Sequence, residues 1–186
     1  MLASQMTQRL FKSKTFEGAV QAVLDDVIAL LGAEYGNVQL AIGDQLVIAA
    51  QRGLTADFLK TFRRVKKDDG SACGRALRLG ETVIIRDVEN DSGFAPFCPD
   101  AKKAGFRSVQ STPFLTKDGN VLGMVSTHFA HAHEPTPIEM QTLKTYSVVA
   151  AEHLHKLLGD VPLAIKAKQM SDELYTPTSG QQSFAH

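Results

Sequence analysis

An α+β domain is predicted from three features of the sequence. Two apolar-rich runs meet at Lys117-Asp118-Gly119, a second pair flanks Gly43-Asp44-Gln45, and helical periodicities occupy both ends of the chain. With 186 residues, 44% of them hydrophobic, the chain can bury one core and is short for two full domains. The expected organisation is a helical extension over residues 1–14, one domain over 15–159, and a polar, disordered tail over 160–186.

At the N-terminus, Leu2, Met6, Leu10 and Phe11 recur at helical spacing. Thr15 is placed to cap a second helix whose stripe is Val20, Val23, Leu24, Val27, Ile28 and Leu31, with Gly32 as its stop. Residues 36–42 and 46–50 read as paired strands in which Asn37 and Gln39 alternate with Val38 and Leu40. A short helix over 56–64 turns Phe58, Leu59 and Phe62 inward, and the charged run at 66–69 reads as a solvated loop. Residues 71–79 form another short helix before Gly80, and 82–86 a strand that ends at Asp87. Over 88–99 the pattern dissolves into a loop anchored by Phe94, Phe97 and Cys98, long enough to serve as a lid. Thr136-Pro137-Ile138-Glu139 starts a long helix, with a threonine cap, a proline at the first position and a capping-box glutamate. It runs to about Leu158, with Ile138, Leu143, Tyr146, Val149, Ala150, His153, Leu154 and Leu157 on its buried side.

The hairpin over 105–129 carries the functional expectation. With Lys117-Asp118-Gly119 as a three-residue loop, Thr116 pairs with Asn120, Ser108 stands opposite His128, and Gln110 opposite Ser126. Opposed residues share a face, so Ser108, Gln110, Thr112, Ser126 and His128 make a polar side. Val109, Ser111, Val125, Thr127 and Phe129 then pack on helices. A polar side enclosed by a loop suits a small-molecule cavity; left open, it is solvated surface.

Twenty basic and twenty acidic side chains cancel, leaving no general field to attract nucleic acid or an anionic membrane. The apolar runs are too short to span a bilayer and no secretory leader precedes them, so a cytoplasmic protein is expected. Cys73 and Cys98 match neither a zinc pattern nor a disulfide framework. His128, His131, His133 and Glu134 are a possible ligand set, but a strand histidine and a loop cluster do not share a metal-site spacing, and no metal is expected.

In order, these pieces resemble a GAF domain, a sensor module related to PAS domains. The resemblance rests on Asn37-Val38-Gln39-Leu40, on Cys73-Gly74-Arg75-Ala76, on residues 83–88 (VIIRDV) and above all on 105–129, and covers roughly residues 15–158. It is most similar to GAF domains of bacterial sensor histidine kinases, which carry comparable Ser-Thr-Pro, Asp-Gly and Ser-Thr-His-Phe series. The resemblance implies a central antiparallel sheet with the terminal helices on one face and a pocket of loops and short helices on the other. It implies an unidentified small-molecule ligand held by Asn37, Gln39, Asp87, Phe94, Phe97, Phe106, Ser108, Gln110, Thr112, Ser126 and His128. It also implies a homodimer formed through the terminal helices and a signal passed to a separate output protein.

Ser108 and His128 match positions that contact the pigment in bilin-binding relatives, but the usual sequences around that chromophore are absent. The residue series of cyclic-nucleotide-binding relatives is absent too, so no cofactor is named. Free methionine-(R)-sulfoxide reductases share the fold and use thiolates, and Cys73 and Cys98 fall near two of their cysteines. Pro99 follows Cys98 where those enzymes have aspartate, and Ser126-Thr127-His128 replaces their carboxylate-bearing strand, which leaves a non-catalytic sensor as the principal expectation. A ligand-free dimerisation scaffold is the remaining alternative.

Overall fold

The computed structural model describes residues 2–176. Two helices, α1 (Leu2–Lys12) and α2 (Phe16–Leu31), lead into the hairpin β1 (Tyr35–Ile42) and β2 (Gln45–Arg52). Then come α3 (Ala56–Thr61), β3 (Arg64–Lys66), α4 (Ala72–Leu79) and β4 (Val83–Ile85). Two 3₁₀ turns, Val88–Asn90 and Ala95–Phe97, precede α5 (Cys98–Ala104), the hairpin β5 (Ser108–Leu115) and β6 (Val121–Phe129), and the helices α6 (Pro137–Leu158) and α7 (Leu163–Tyr175). The strands form one antiparallel sheet in the order β3-β2-β1-β6-β5-β4.

The sheet separates two apolar clusters. On one side Val38, Leu40, Val125 and Phe129 meet α1, α2, α6 and α7. On the other Ile48, Val109 and Met124 meet Phe58, Ala76, Phe94 and Phe106. The terminal helices thus occupy one face and the short helices and loops the other, as expected.

Local chemistry sets the boundaries. Thr15 caps α2 by accepting from the Gly18 amide, and Gly32 stops it at φ +64. Thr136 and Glu139 form the expected capping box on α6. The buried stripe of α6 is Leu143, Tyr146, Ser147, Ala150, Ala151, Leu154 and Leu158. Ile138 is not on it and is 80% exposed. It precedes Leu143 by five positions, about 140° around the helix.

Two short elements escaped the sequence pattern. In β3 only Val65 points inward between two exposed basic residues, so a three-residue strand on a charged sheet edge is hidden where the sequence reads as the end of a helix (56–64) and a solvated loop (66–69). Residues 163–175, expected as part of a disordered tail, form α7, which lies against β1 and β2. A narrow stripe of Ala167, Met170 and Ser171 is what it buries, and Lys166 reaches Glu17 of α2 at 2.7 Å. Surrounding lysines, glutamine and acids dilute that stripe below the usual amphipathic signal. The rest of the expected tail, residues 177–186, lies outside the described residues.

Asp26 of α2 is 2% exposed and pairs with Arg9 of α1, while accepting from the Tyr146 hydroxyl of α6 at 2.7 Å. The three helices are joined at this point, where the carboxylate would otherwise lie unpaired among apolar side chains.

Candidate functional site: an enclosed cavity beneath the sheet

The β5–β6 turn has the expected form. Gly119 is at φ +79, the Thr116 amide donates to the Asn120 carbonyl at 2.9 Å, and Leu115 faces Val121. Leu122 is then an extra residue, because Phe114 pairs with Gly123. This bulge advances all pairing beyond it by one position: Ser108 opposes Phe129, Gln110 opposes Thr127, and Ser111 opposes Ser126. Since one step of register exchanges the faces, the expected polar side divides. Ser126 and His128 keep one face and are joined there by Ser111 and Val109.

Ser108, Gln110 and Thr112 lie on the helix-covered face, opposite to the expectation. Ser108 donates to the Ile85 carbonyl at 3.0 Å, Gln110 Nε2 lies 3.6 Å from the Met140 sulfur, and Thr112 accepts from Thr82 at 3.3 Å. Gln110 and His128 are therefore on opposite sides of the hairpin. Asp87 is also away from the cavity: it caps the turn at Val88–Asn90 and grips Arg107 with both oxygens, at 3.0 and 2.8 Å. That guanidinium holds the Asp87 pKa below the usual carboxylate value. Phe97 backs the wall, with ring centres 5.3 Å from Phe62 and 5.6 Å from Phe94, but does not line the space.

The cavity itself has a volume of about 20 Å³. Its sheet side is Asn37 and Gln39 of β1, Val109 and Ser111 of β5, and Ser126 and His128 of β6. Phe58 of α3 and Phe62 just after it, Ser71, Ala72 and Cys73 around the start of α4, and Phe94 and Phe106 close it. Of the candidates named from the sequence, Asn37, Gln39, Ser126, His128, Phe94 and Phe106 line this one cavity. Ser111, Val109, Ser71, Ala72, Cys73, Phe58 and Phe62 complete the set. Inward aromatic spacing already marked Phe58 and Phe62, whereas Ser111 was hidden by the bulge.

No side chain that is charged at neutral pH lines the cavity. Burial lowers the His128 pKa to about 3, leaving a neutral imidazole whose ring edge meets Phe106 at 4.6 Å and Phe58 at 5.3 Å. Burial likewise raises the Cys73 thiol to about 11. Ser111 and Ser126 satisfy each other at 2.7 Å. Asn37 Oδ1, Gln39 Oε1 and His128 Nδ1 are fully buried and have no partner. Unmet polar atoms of this kind are costly in a protein interior, and two carbonyl acceptors beside an unpaired ring nitrogen mark a place for a hydrogen-bonding molecule that donates to Asn37 and Gln39.

A consequence for stability follows from the imidazole. The unfolded chain takes up a proton near pH 6.5 that folded His128 does not, so stability falls as pH drops below 6.5, by at most about 1.4 kcal/mol per pH unit. In urea titrations, His128→Gln is expected to flatten the decline between pH 6.5 and 4.5; an unaltered slope would assign the decline elsewhere.

A lid closes the cavity. Asp91 accepts from the Phe94 amide at 2.9 Å and receives the Arg75 guanidinium, whose Nη1 is 3.0 Å away and whose Nε donates to the Gly70 carbonyl at 2.7 Å. Arg75 also holds the Asp91 pKa down. Gly70, at φ +87, meets Gly93 so closely that a Cβ there would stand 2.6 Å from the Gly93 oxygen. The lid thus seats Phe94 over the cavity by one ion pair and one backbone contact.

The remaining candidates disperse. Cys98 Sγ donates to the Val88 carbonyl at 3.2 Å, outside the lining, and both cysteines are free. His128 faces the cavity, His133 stacks on Phe129 at 3.8 Å, and Glu134 pairs with Arg86 at 2.6 Å. Among the described residues no group of three or more His, Cys, Asp or Glu side chains is placed to hold a metal.

Residues 13–155, most of the chain, match the sequence profile of the GAF domain. The chain belongs to the GAF domain family. Solved structures agree on the fold. The GAF domain of a phosphoenolpyruvate-protein phosphotransferase from Coxiella burnetii is similar at a TM-score of 0.71 and 16% identity, over 83% of this chain and 91% of that one. A domain of a putative two-component sensor histidine kinase from Sinorhizobium meliloti gives 0.64 and 14%, over 77% and 93%. The free methionine-R-sulfoxide reductase of Neisseria meningitidis, solved with its substrate, gives 0.68 and 17%, over 90% and 89%. Histidine-kinase GAF domains are thus one group among several, beside phosphotransferase, phytochrome and chemotaxis proteins. A search of curated proteins finds no match by sequence. No helix among the described residues is long and apolar enough to cross a membrane.

Proposed function

We propose that this GAF domain is a non-catalytic sensory module of bacterial signal transduction, in a setting like that of sensor histidine kinases. Its cavity takes a small, uncharged molecule that donates hydrogen bonds. The observation that carries this reading is the convergence of Asn37 Oδ1, Gln39 Oε1 and His128 Nδ1, buried without partners, on a space free of charge. The closed space of about 20 Å³ holds no more than a water, so a larger ligand enters by displacing the lid and the phenyl rings. Occupancy then shifts the conformational equilibrium only by the difference in affinity for the two states.

Self-association through the terminal helices is part of the proposal. Ile138 and Val148 of α6 are 80% and 58% exposed, and Leu115 exposes further apolar surface beside the helix. The output would act through a separate protein.

Native mass spectrometry of the freshly purified full chain tests both parts. A dimer retaining a neutral small molecule, lost on Gln39→Leu and Asn37→Leu substitution, is expected. A monomer would remove the self-association, and an empty protein that no neutral donor stabilises would remove the sensing.

Two observations favour other readings. Phe58, Phe62, Phe94 and Phe106 nearly fill the space, as a self-packed dimerisation scaffold requires; the unpaired Asn37, Gln39 and His128 atoms oppose it. The fold shared with the sulfoxide reductase, and Cys73 in the cavity wall, suit a thiol enzyme. Attack on a sulfoxide needs a thiolate, which burial of Cys73 disfavours. Thiol-dependent reduction of free methionine sulfoxide by the wild type, abolished in Cys98→Ser, would replace the sensing reading with this one.

A further inference from the structure

The last helix touches both layers of the domain. Ala167 and Met170 of α7 belong to the apolar cluster under the terminal helices, whereas Leu174 packs against the cluster on the cavity side. Beyond Leu174, the Tyr175 hydroxyl donates to the Leu59 carbonyl at 2.6 Å. Leu59 lies in the last turn of α3, where helix carbonyls lack intrahelical partners, so Tyr175 caps that helix from outside. Arg63, just after α3, stands 4.4 Å from the centre of the Tyr175 ring and 3.7 Å from Asp172.

These contacts join α7 to the cavity wall. Phe58 and Phe62, on either side of Leu59, both line the cavity, and Phe58 is in edge contact with His128. A ligand too large for the closed space has to shift these rings and the short helix that carries them. That displacement breaks the Tyr175 bond or pulls α7 with it.

We propose that α7 reports the state of the cavity: the position of α3 that closes the cavity is the one to which the end of α7 is bound, so opening one loosens the other. The proposal rests on the sensing reading for what moves α3 in the cell, but the coupling operates without ligand. Linkage makes it reciprocal, so it can be measured from either end.

Cys73 supplies the internal probe, because its thiol lines the cavity and reacts with iodoacetamide only when the wall opens. In the full chain without ligand, Tyr175→Phe is expected to speed Cys73 alkylation about fivefold, the weight of one hydrogen bond. Tyr175→Ala should speed it by more, with peptide mapping separating Cys73 from Cys98. Amide exchange in β1 and β6 should stay at the wild-type rate in both. From the other end, Phe62→Leu should hasten amide exchange over residues 170–175.

An unchanged Cys73 rate in Tyr175→Phe overturns the coupling, as does a rise matched by faster exchange in β1 and β6, which is general loosening. Because no ligand enters either measurement, an empty cavity by mass spectrometry leaves this result standing. A failed coupling likewise leaves a retained ligand unexplained rather than refuted.

Discussion

Asp91→Ala is expected to raise the alkylation rate of Cys73 roughly 10- to 100-fold, while the protein stays folded by circular dichroism. Asp91 stands at a junction: it receives the Arg75 guanidinium, accepts the Phe94 amide, and so fixes the segment that seats Phe94 over the cavity. Hydrogen bonds to a charged group weigh about 1.5–3 kcal/mol each, and this pair is mostly shielded, with about a quarter of either side chain exposed. Losing it leaves the Gly70–Gly93 contact and the Phe94–Phe106 packing to hold the lid. Arg75→Gln should act in the same direction. A Cys73 rate within twofold of wild type in both variants would mean that the ion pair does not govern access.

Gly123→Ala should cost about 3 kcal/mol or more in a urea titration. A methyl group at Gly123 would lie 2.3 Å from the Gln39 carbonyl oxygen and 3.2 Å from a Leu40 methyl. The first of these is backbone in the central β1–β6 pair, so no rotamer change relieves it and the strands must part. The strain falls on the residue that also supplies an unmet acceptor to the cavity. Ligand capture should therefore fail together with stability. Gly119→Ala is the useful comparison: it has open space around it, and its cost comes from φ +79 alone.

Much of the fold was legible because local signals agreed with it. Thr15, Gly32 and the Thr136–Glu139 box mark helix ends through hydrogen bonds made within a few residues, and both hairpin turns announce themselves by composition. The site was legible on β1 and β6 and misread on β5. Asn37, Gln39, Ser126 and His128 share a face because β1 and β6 pair without interruption from Tyr35 to Leu40. Ser108, Gln110 and Thr112 were assigned by counting back from the turn, and the surplus Leu122 breaks that count. Gly123 inside the strand is the one cue to a bulge there, and it does not say which neighbour is the surplus residue. The closeness of Gly123 to Gln39, a contact across 84 positions of sequence by subtraction of the two numbers, appears only in three dimensions. The α7 helix was missed for a similar reason. Its thin apolar stripe becomes meaningful only once β1 and β2 present a surface for it.

The junction of Arg9, Asp26 and Tyr146 constrains how this domain can transmit force. One rivet passes through an element from each end of the chain and through the helix beneath the sheet, so α1 cannot peel away and α6 cannot slide without exposing the same buried anion. Rotation or piston displacement of the terminal layer must carry all three together as a slab. The α7 helix lies outside this junction, held instead to α2 through Lys166 and Glu17 at the rim and to α3 through Tyr175.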